Sequence, residues 1–195
     1  ENLDDARDRV EKMTAKISHR GPDAEGIYAG KNAILGHRRL SIIDINPSSN
    51  QPFSSLDGRY TIVYNGELYN YRDIKSQLSD HDFRTDSDTE VVLAAFMKWG
   101  MKALQLFNGM FAFAFWDNQE EKLWIGRDRL GIKPLYYANA AQSVLFASEI
   151  RSILASGLVK PKLDDTSLVD YLRYQTVHAP KTMIEGVFML NPGCY

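Results

Sequence analysis

The chain has 195 residues, 44% of them apolar and 25% charged, with a net charge of −2. That balance excludes a disordered chain and, with no basic stripe, argues against nucleic acid and anionic membrane as partners. No apolar run approaches the roughly 20 residues of a membrane span. The acidic start, Glu1-Asn2-Leu3-Asp4-Asp5, is unlike a signal peptide. The one cysteine, Cys194, excludes an internal disulfide and favours a reducing, cytoplasmic setting. His19, His37, His81 and His178 show no ligand spacing with it, so no metal site is expected.

Leu3, Ala6, Val10, Met13 and Ile17 recur at steps of three and four, which predicts a helix with one apolar stripe, stopped near Gly21-Pro22. Residues 24–30 and 33–39 read as two strands joined by a turn at Gly30-Lys31-Asn32, and residues 46–57 as a surface loop. The β-branched and aromatic run 60–64 predicts a strand leading into Asn65-Gly66. Residues 71–78 read as a helix, and Ser87-Asp88-Thr89-Glu90 as a capping box opening a further helix that stops at Gly100. Residues 110–116, 123–126, 135–138 and 144–147 are strand candidates; 149–155 and 166–174 look helical. Adjacent runs of strands interleaved with helices predict a layered α+β domain rather than a doubly wound one.

Five segments carry chemistry: Arg20-Gly21-Pro22-Asp23; residues 37–44, His-Arg-Arg-Leu-Ser-Ile-Ile-Asp; residues 65–70, Asn-Gly-Glu-Leu-Tyr-Asn; residues 86–90, Asp-Ser-Asp-Thr-Glu; and residues 126–137, which open Gly-Arg-Asp. Each is weak alone. In this order they closely resemble the N-terminal domain of glutamine-dependent asparagine synthetases, and the resemblance covers essentially the whole chain.

The resemblance implies a class II glutamine amidotransferase of the N-terminal-nucleophile type: a four-layer αββα sandwich with two antiparallel sheets, in which a first-residue cysteine attacks the glutamine side-chain amide and its own α-amine acts as base. No cysteine stands at the start of this sequence. The nucleophile and first strand are expected ahead of Glu1, and residues 1–195 alone are expected to be inactive. An ATP-dependent synthetase domain, with Mg and ATP, is expected beyond the C-terminus; no cofactor is expected in residues 1–195.

Asn65 and Gly66 are then the oxyanion donors, through the Asn amide and the Gly N–H. Taken by itself, Asn-Gly is a hairpin signal; residues 67–74, however, do not read as a returning strand. Arg39 is the candidate for the glutamine carboxylate, held in a bidentate fork, although an exposed strand arginine is the plainer reading. Glu67 and Asp88 face the ammonium, Asp88 also sitting in the first turn of a capped helix. The resemblance extends the glutamine pocket to Leu40, Ser41, Ile42 and Ile43. His19, Arg20 and His37 are expected to support the site rather than to react. Arg127-Asp128 is expected to be a buried ion pair, and Cys194 incidental.

The expected partners are glutamine and the protein's own synthetase domain. A homodimer stays open, since family members are often dimers. The rival readings are a scaffold domain that has lost its nucleophile and an amidotransferase acting on a sugar or peptide acceptor.

Overall fold

The computed structural model describes residues 2–42, 44–140 and 142–195. Helix α1, Leu3–Ala15, starts where the Asn2 side chain accepts from the Asp4 N–H. It is followed by the hairpin β1, Ala24–Ala29, and β2, Ile34–Arg39, paired antiparallel with Ile27 opposite Gly36. The turn falls where expected, closed by Gly30 N–H donating to Ala33 O at 2.9 Å. The loop expected over residues 46–57 is more ordered than its composition suggests. It contains a 3-10 turn, Pro47–Ser49, and a two-residue strand β3, Phe53–Ser54, which pairs with β4.

Strand β4, Tyr60–Leu68, runs on through Asn65-Gly66 without turning. A second nine-residue strand, β5, Gly109–Asp117, lies antiparallel along all of it. With β6, Lys122–Arg127, these strands form a sheet of order β3-β4-β5-β6. Period-two alternation divides its faces. Ile62, Tyr64, Phe111, Phe113 and Phe115 pack under helices α2, Tyr71–Ser76, and α3, Asp88–Trp99. The Phe96 ring of α3 sits 4.9 Å from Phe113 and 5.1 Å from Phe115. Val63, Ala114 and Trp116 face the other way, onto Leu35 of β2.

A third sheet, of order β8-β7-β9, comes from β7, Tyr136–Ala140, β8, Ser143–Ala147, and β9, Val187–Met189. Strand β9 was not expected, because three residues are too few to show an alternation. Met13 of α1 and Ile153 of α4, Ile150–Ala155, cover this sheet at Ala138, Ala147 and Val187. Helix α5, Asp165–Tyr174, is capped by Asp164, whose carboxylate accepts from Ser167 N–H at 2.8 Å.

The fold is thus mixed α+β with antiparallel pairing throughout the described strands. Among the described residues the strands fall into three hydrogen-bonded sheets, where the resemblance implies two.

Two further expectations need correction. Glu90 does not close a capping box onto Ser87. Ser87 Oγ accepts from Thr89 N–H at 3.1 Å, but the Glu90 carboxylate accepts from Thr85 N–H and Oγ and from Arg84 N–H. Burial works against that carboxylate, yet these donors outweigh it and hold it below its usual range. Arg127 and Asp128 do not pair with each other either. Arg127 donates to the carbonyls of Gly131, Lys133 and Leu190, while Asp128 accepts from the N–H groups of Phe111, Leu130, Ile132 and Lys133. Each satisfies backbone that the irregular 128–135 segment would otherwise leave unpaired.

Candidate active site

Beyond the C-terminal end of β2 lies a cleft of about 290 Å³. Three structural elements meet there. Strand β4 contributes Asn65, Gly66 and Glu67, with Asn65 and Glu67 on one face by the two-residue period. The N-terminus of α3 contributes Ser87 and Asp88, and the end of β2 contributes Arg39 and Leu40. Lys133, His19 and Arg20 stand at its border.

Arg39 is buried, at 7% exposure, and its guanidinium has two different edges. Nη1 donates to Asn46 O at 3.0 Å and Asn50 Oδ1 at 2.7 Å, and Nη2 donates to Asp44 O. Three of five N–H donors therefore hold the loop after β2. The Nε–H has no partner among the described residues, which leaves that edge of the guanidinium available to a carboxylate. The plainer expectation, an exposed strand arginine, is not what the structure contains.

The loop is held from two more sides. Asp23 Oδ2 accepts from Ser41 N–H at 2.7 Å, and Asp44 Oδ2 accepts from Ser49 Oγ at 2.6 Å and Asp86 N–H at 3.1 Å. These contacts explain the Arg20-Gly21-Pro22-Asp23 segment physically. A Cβ on Gly21 would lie 2.3 Å from the Arg38 carbonyl carbon, so only glycine lets Asp23 approach. Leu40 and Ile42 line the cleft; Ser41 contributes its backbone N–H to Asp23 instead of facing the cavity. Ile43 lies outside the described residues.

Asp88 Oδ2 accepts from Leu68 N–H at 2.9 Å, which fixes the carboxylate against the end of β4. Burial pushes its carboxyl above the usual range, with the Leu68 and Thr89 N–H groups opposing. Asn65 Nδ2 reaches Ser148 Oγ only at 3.5 Å. Gly66 is held in place by β5: a Cβ there would sit 2.4 Å from Met110 O and 2.7 Å from Phe111 Cβ.

His37 is half-buried behind this face, with its Nδ1 atom shielded from solvent. Its Nε2 lies 3.3 Å from Tyr64 O and its Nδ1 has no partner. Because a carbonyl only accepts, Nε2 carries the proton and Nδ1 is a bare acceptor. Burial pushes its pKa down to about 4, so the ring is neutral near pH 7. His19 and Arg20 both contact Glu149, at 3.0 and 3.3 Å. Gln51 escaped the sequence reading. It clamps β4 by donating to Tyr64 O at 3.0 Å and accepting from Tyr64 N–H at 2.6 Å; nothing local in the sequence signals this.

A family model described as a glutamine amidotransferase domain matches residues 1–195. The chain belongs to the class II glutamine amidotransferase domain family. It is 37% identical over 187 residues to the glutamine-hydrolysing asparagine synthetase 3 of Bacillus subtilis, covering 94% of this chain and 30% of that protein. It is 42% identical over 198 residues to amidase chry2 of Gibberella zeae, covering 98% of this chain and 29% of that protein. The chain therefore spans about 30% of the length of these curated relatives. The glutamine phosphoribosylpyrophosphate amidotransferase of B. subtilis has a similar fold, with a TM-score of 0.63 at 20% identity, over 75% of this chain and 40% of that one.

No cysteine lines this cleft: Cys194, the chain's one cysteine, is exposed and its backbone pairs with Asn191 and Arg127. Among the described residues no helix is long and apolar enough to cross a membrane.

Proposed function

We propose that the cleft binds free glutamine and that the protein hydrolyses it to glutamate and ammonia, which then serves an amidation elsewhere in the protein. The carrying observation is the charge layout. Arg39, with its Nε–H unpartnered among the described residues, borders a cavity that Glu67 and Asp88 also line, matching the carboxylate and ammonium of one amino acid. That layout leaves the side chain to extend along β4 towards Asn65 and Gly66.

The chemistry follows from those positions. A thiolate attacks the side-chain amide carbon, and the resulting oxyanion is met by the Asn65 amide and the Gly66 N–H. The C–N bond breaks as nitrogen takes a proton, and ammonia leaves a thioester. Water then attacks the thioester carbon, the sulfur departs, and glutamate is released. Because no cysteine lines the cleft, the thiol is brought to it from outside residues 1–195. The mixed α+β fold with antiparallel sheets is compatible with the αββα sandwich of the N-terminal-nucleophile type. ATP and Mg would act in a further domain, and no residue of this cleft is assigned to them.

The acceptor by resemblance to asparagine synthetases is aspartate. The alternative acceptor is a sugar or a peptide.

Calorimetric titration of residues 1–195 with L-glutamine tests the binding reading. Saturable binding of glutamine with rejection of glutaramide, which lacks both α-groups, is expected. Equal binding of both compounds would remove the assignment of Arg39, Glu67 and Asp88. A scaffold domain would bind neither.

A further inference from the structure

The cleft is assembled from three separate elements, β2, β4 and α3, and two neighbouring residues touch all three. Asn50 Oδ1 accepts from Arg39 Nη1 at the end of β2. Gln51 is buried and spends its side-chain amide on the other two elements. Its Oε1 accepts from Tyr64 N–H at 2.6 Å, and its Nε2 donates to Tyr64 O at 3.0 Å and to Thr89 Oγ1 at 3.3 Å. Tyr64 precedes Asn65 on β4, and Thr89 follows Asp88 on α3.

The register of β3 explains why a glutamine side chain does this. Strand β3 pairs Phe53 with Ile62 and Ser54 with Thr61, and beyond them Ser55 N–H donates to Tyr60 O at 2.9 Å. Hydrogen-bonded pairs in an antiparallel ladder recur at every second residue, so 55 with 60 and 53 with 62 would be followed by 51 with 64. Strand β3 begins only at Phe53, and the Gln51 main chain lies against β1 instead: a Cβ on Gly26 would sit 2.1 Å from Gln51 O. The side-chain amide carries a donor and an acceptor on one carbon, so it makes both of the bonds that the main chain would have made with Tyr64. Ionised glutamate offers acceptors only, and methionine offers no donor.

The Tyr64 carbonyl and the Asn65 N–H share one planar peptide, so a clamp on Tyr64 sets the direction in which Asn65 leaves the strand. The Asn65 side chain has little else to hold it, since Nδ2 reaches Ser148 Oγ only at 3.5 Å. Arg39 and Asp88 do have independent holds. Arg39 donates to Asn46 O and Asp44 O, and Asp88 accepts from Leu68 N–H.

We propose that Gln51 is a positioning residue that sets Asn65 and Gly66 at a fixed distance from Arg39 and Asp88, and so gives the cleft its selectivity for a ligand's side-chain amide. The ligand's identity rests on the glutamine reading above; the clamp on Tyr64 does not. Arg39 and Asp88 fix where the Cα of an amino acid sits. Gln51 fixes where a carbonyl further along its side chain meets its donors.

The test compares the 195-residue chain with Gln51→Met, which keeps the bulk and removes the clamp, and with Thr89→Val, which removes the Thr89 contact alone. Without ligand, 1H–15N spectra report the Asn65 side-chain amide and the Gly66 N–H. Calorimetry then measures L-glutamine against L-norvaline, which has both α-groups and no amide. Gln51→Met is expected to shift the Asn65 and Gly66 resonances, leave Phe188 of β9 in place, and speed exchange of Tyr64 N–H at least about tenfold. Its preference for glutamine over norvaline is expected to fall about tenfold, with norvaline affinity within about threefold of the parent. Thr89→Val is expected to lower the same preference by a smaller factor.

A purely structural role would weaken both ligands equally and keep their ratio, and that result overturns the proposal. Unmoved Asn65 and Gly66 resonances in Gln51→Met overturn it as well. Should Gln51→Met not fold, unchanged Asn65 resonances and an unchanged ratio in Thr89→Val overturn it. Shifted Asn65 and Gly66 resonances in a chain whose parent binds neither compound support the positioning and count against the glutamine reading alone.

Discussion

Arg39 Nη1 donates to Asn50 Oδ1 at 2.7 Å, so the residue assigned to the substrate carboxylate also ties the following loop to the end of β2. The two tasks use different edges of one guanidinium, which is why they can coexist. They can also be separated by mutation.

Arg39→Lys retains a charge but cannot span three loop acceptors and a carboxylate at once. Losing a charge-assisted pair costs about 1.5–3 kcal/mol, so glutamine binding is expected to weaken by roughly 10- to 150-fold. Asn50→Ala removes one loop contact and leaves the Nε–H edge, with an expected loss under about tenfold. Titration calorimetry on both variants decides the matter. Equal losses would put the whole contribution of Arg39 in the loop.

Asp88 carries a trade between stability and binding. Burial lifts its carboxyl above the ordinary range, so the ionised form is disfavoured in the folded protein relative to the unfolded one. Above the raised folded pKa that penalty is fully present, and it disappears as pH falls below the unfolded value. Asp88→Asn keeps an acceptor for Leu68 N–H and removes the buried charge. The variant is expected to melt no lower than the parent at pH 7 while binding glutamine at least about tenfold more weakly. A parent whose glutamine affinity does not fall as pH is lowered through the carboxylate range would argue against ionised Asp88 as the ammonium partner.

Much of this was legible because periodicity and turn chemistry are local signals. Strands β1, β2, β4 and β5 and helices α1 and α3 follow from alternation, stripes and caps, and the cleft-facing parity of Asn65 and Glu67 follows once β4 is known to be one strand. What escaped was nonlocal satisfaction of polar groups. Glu90 serves Arg84 and Thr85 rather than Ser87, Asp128 serves four backbone N–H groups rather than Arg127, and Gln51 clamps Tyr64 from 13 residues away. Such pairings depend on which backbone groups folding leaves unpaired, and no spacing in the sequence records that.

Gly66→Ala tests why the proposed second oxyanion donor is glycine. Its Cβ would lie 2.4 Å from the backbone oxygen of Met110, which β5 cannot move without shifting its register against β4. Overpacking of this kind costs about 1–3 kcal/mol, and for a chain of this length about 2–4 °C per kcal/mol. The melting temperature is therefore expected to fall by several degrees, with glutamine chemistry lost as the strand shifts. An unchanged melting temperature would show that β4 and β5 part easily at this point.

His37 gives the sharpest pH signature. Burial holds its pKa at about 4 in the folded protein, against about 6.5 when unfolded. The unfolded chain therefore binds the extra proton first as pH falls. The stability that the neutral ring contributes is whole above pH 6.5, declines between 6.5 and 4, and is gone below 4. That shift corresponds to about 2 kcal/mol lost between pH 7 and pH 5. His37→Gln should lack this component, so the difference in stability between parent and variant should shrink or change sign by about that amount over the interval. Denaturant melts of both proteins at the two pH values measure it directly. Parallel losses in parent and variant would mean that His37 is solvated in the folded protein.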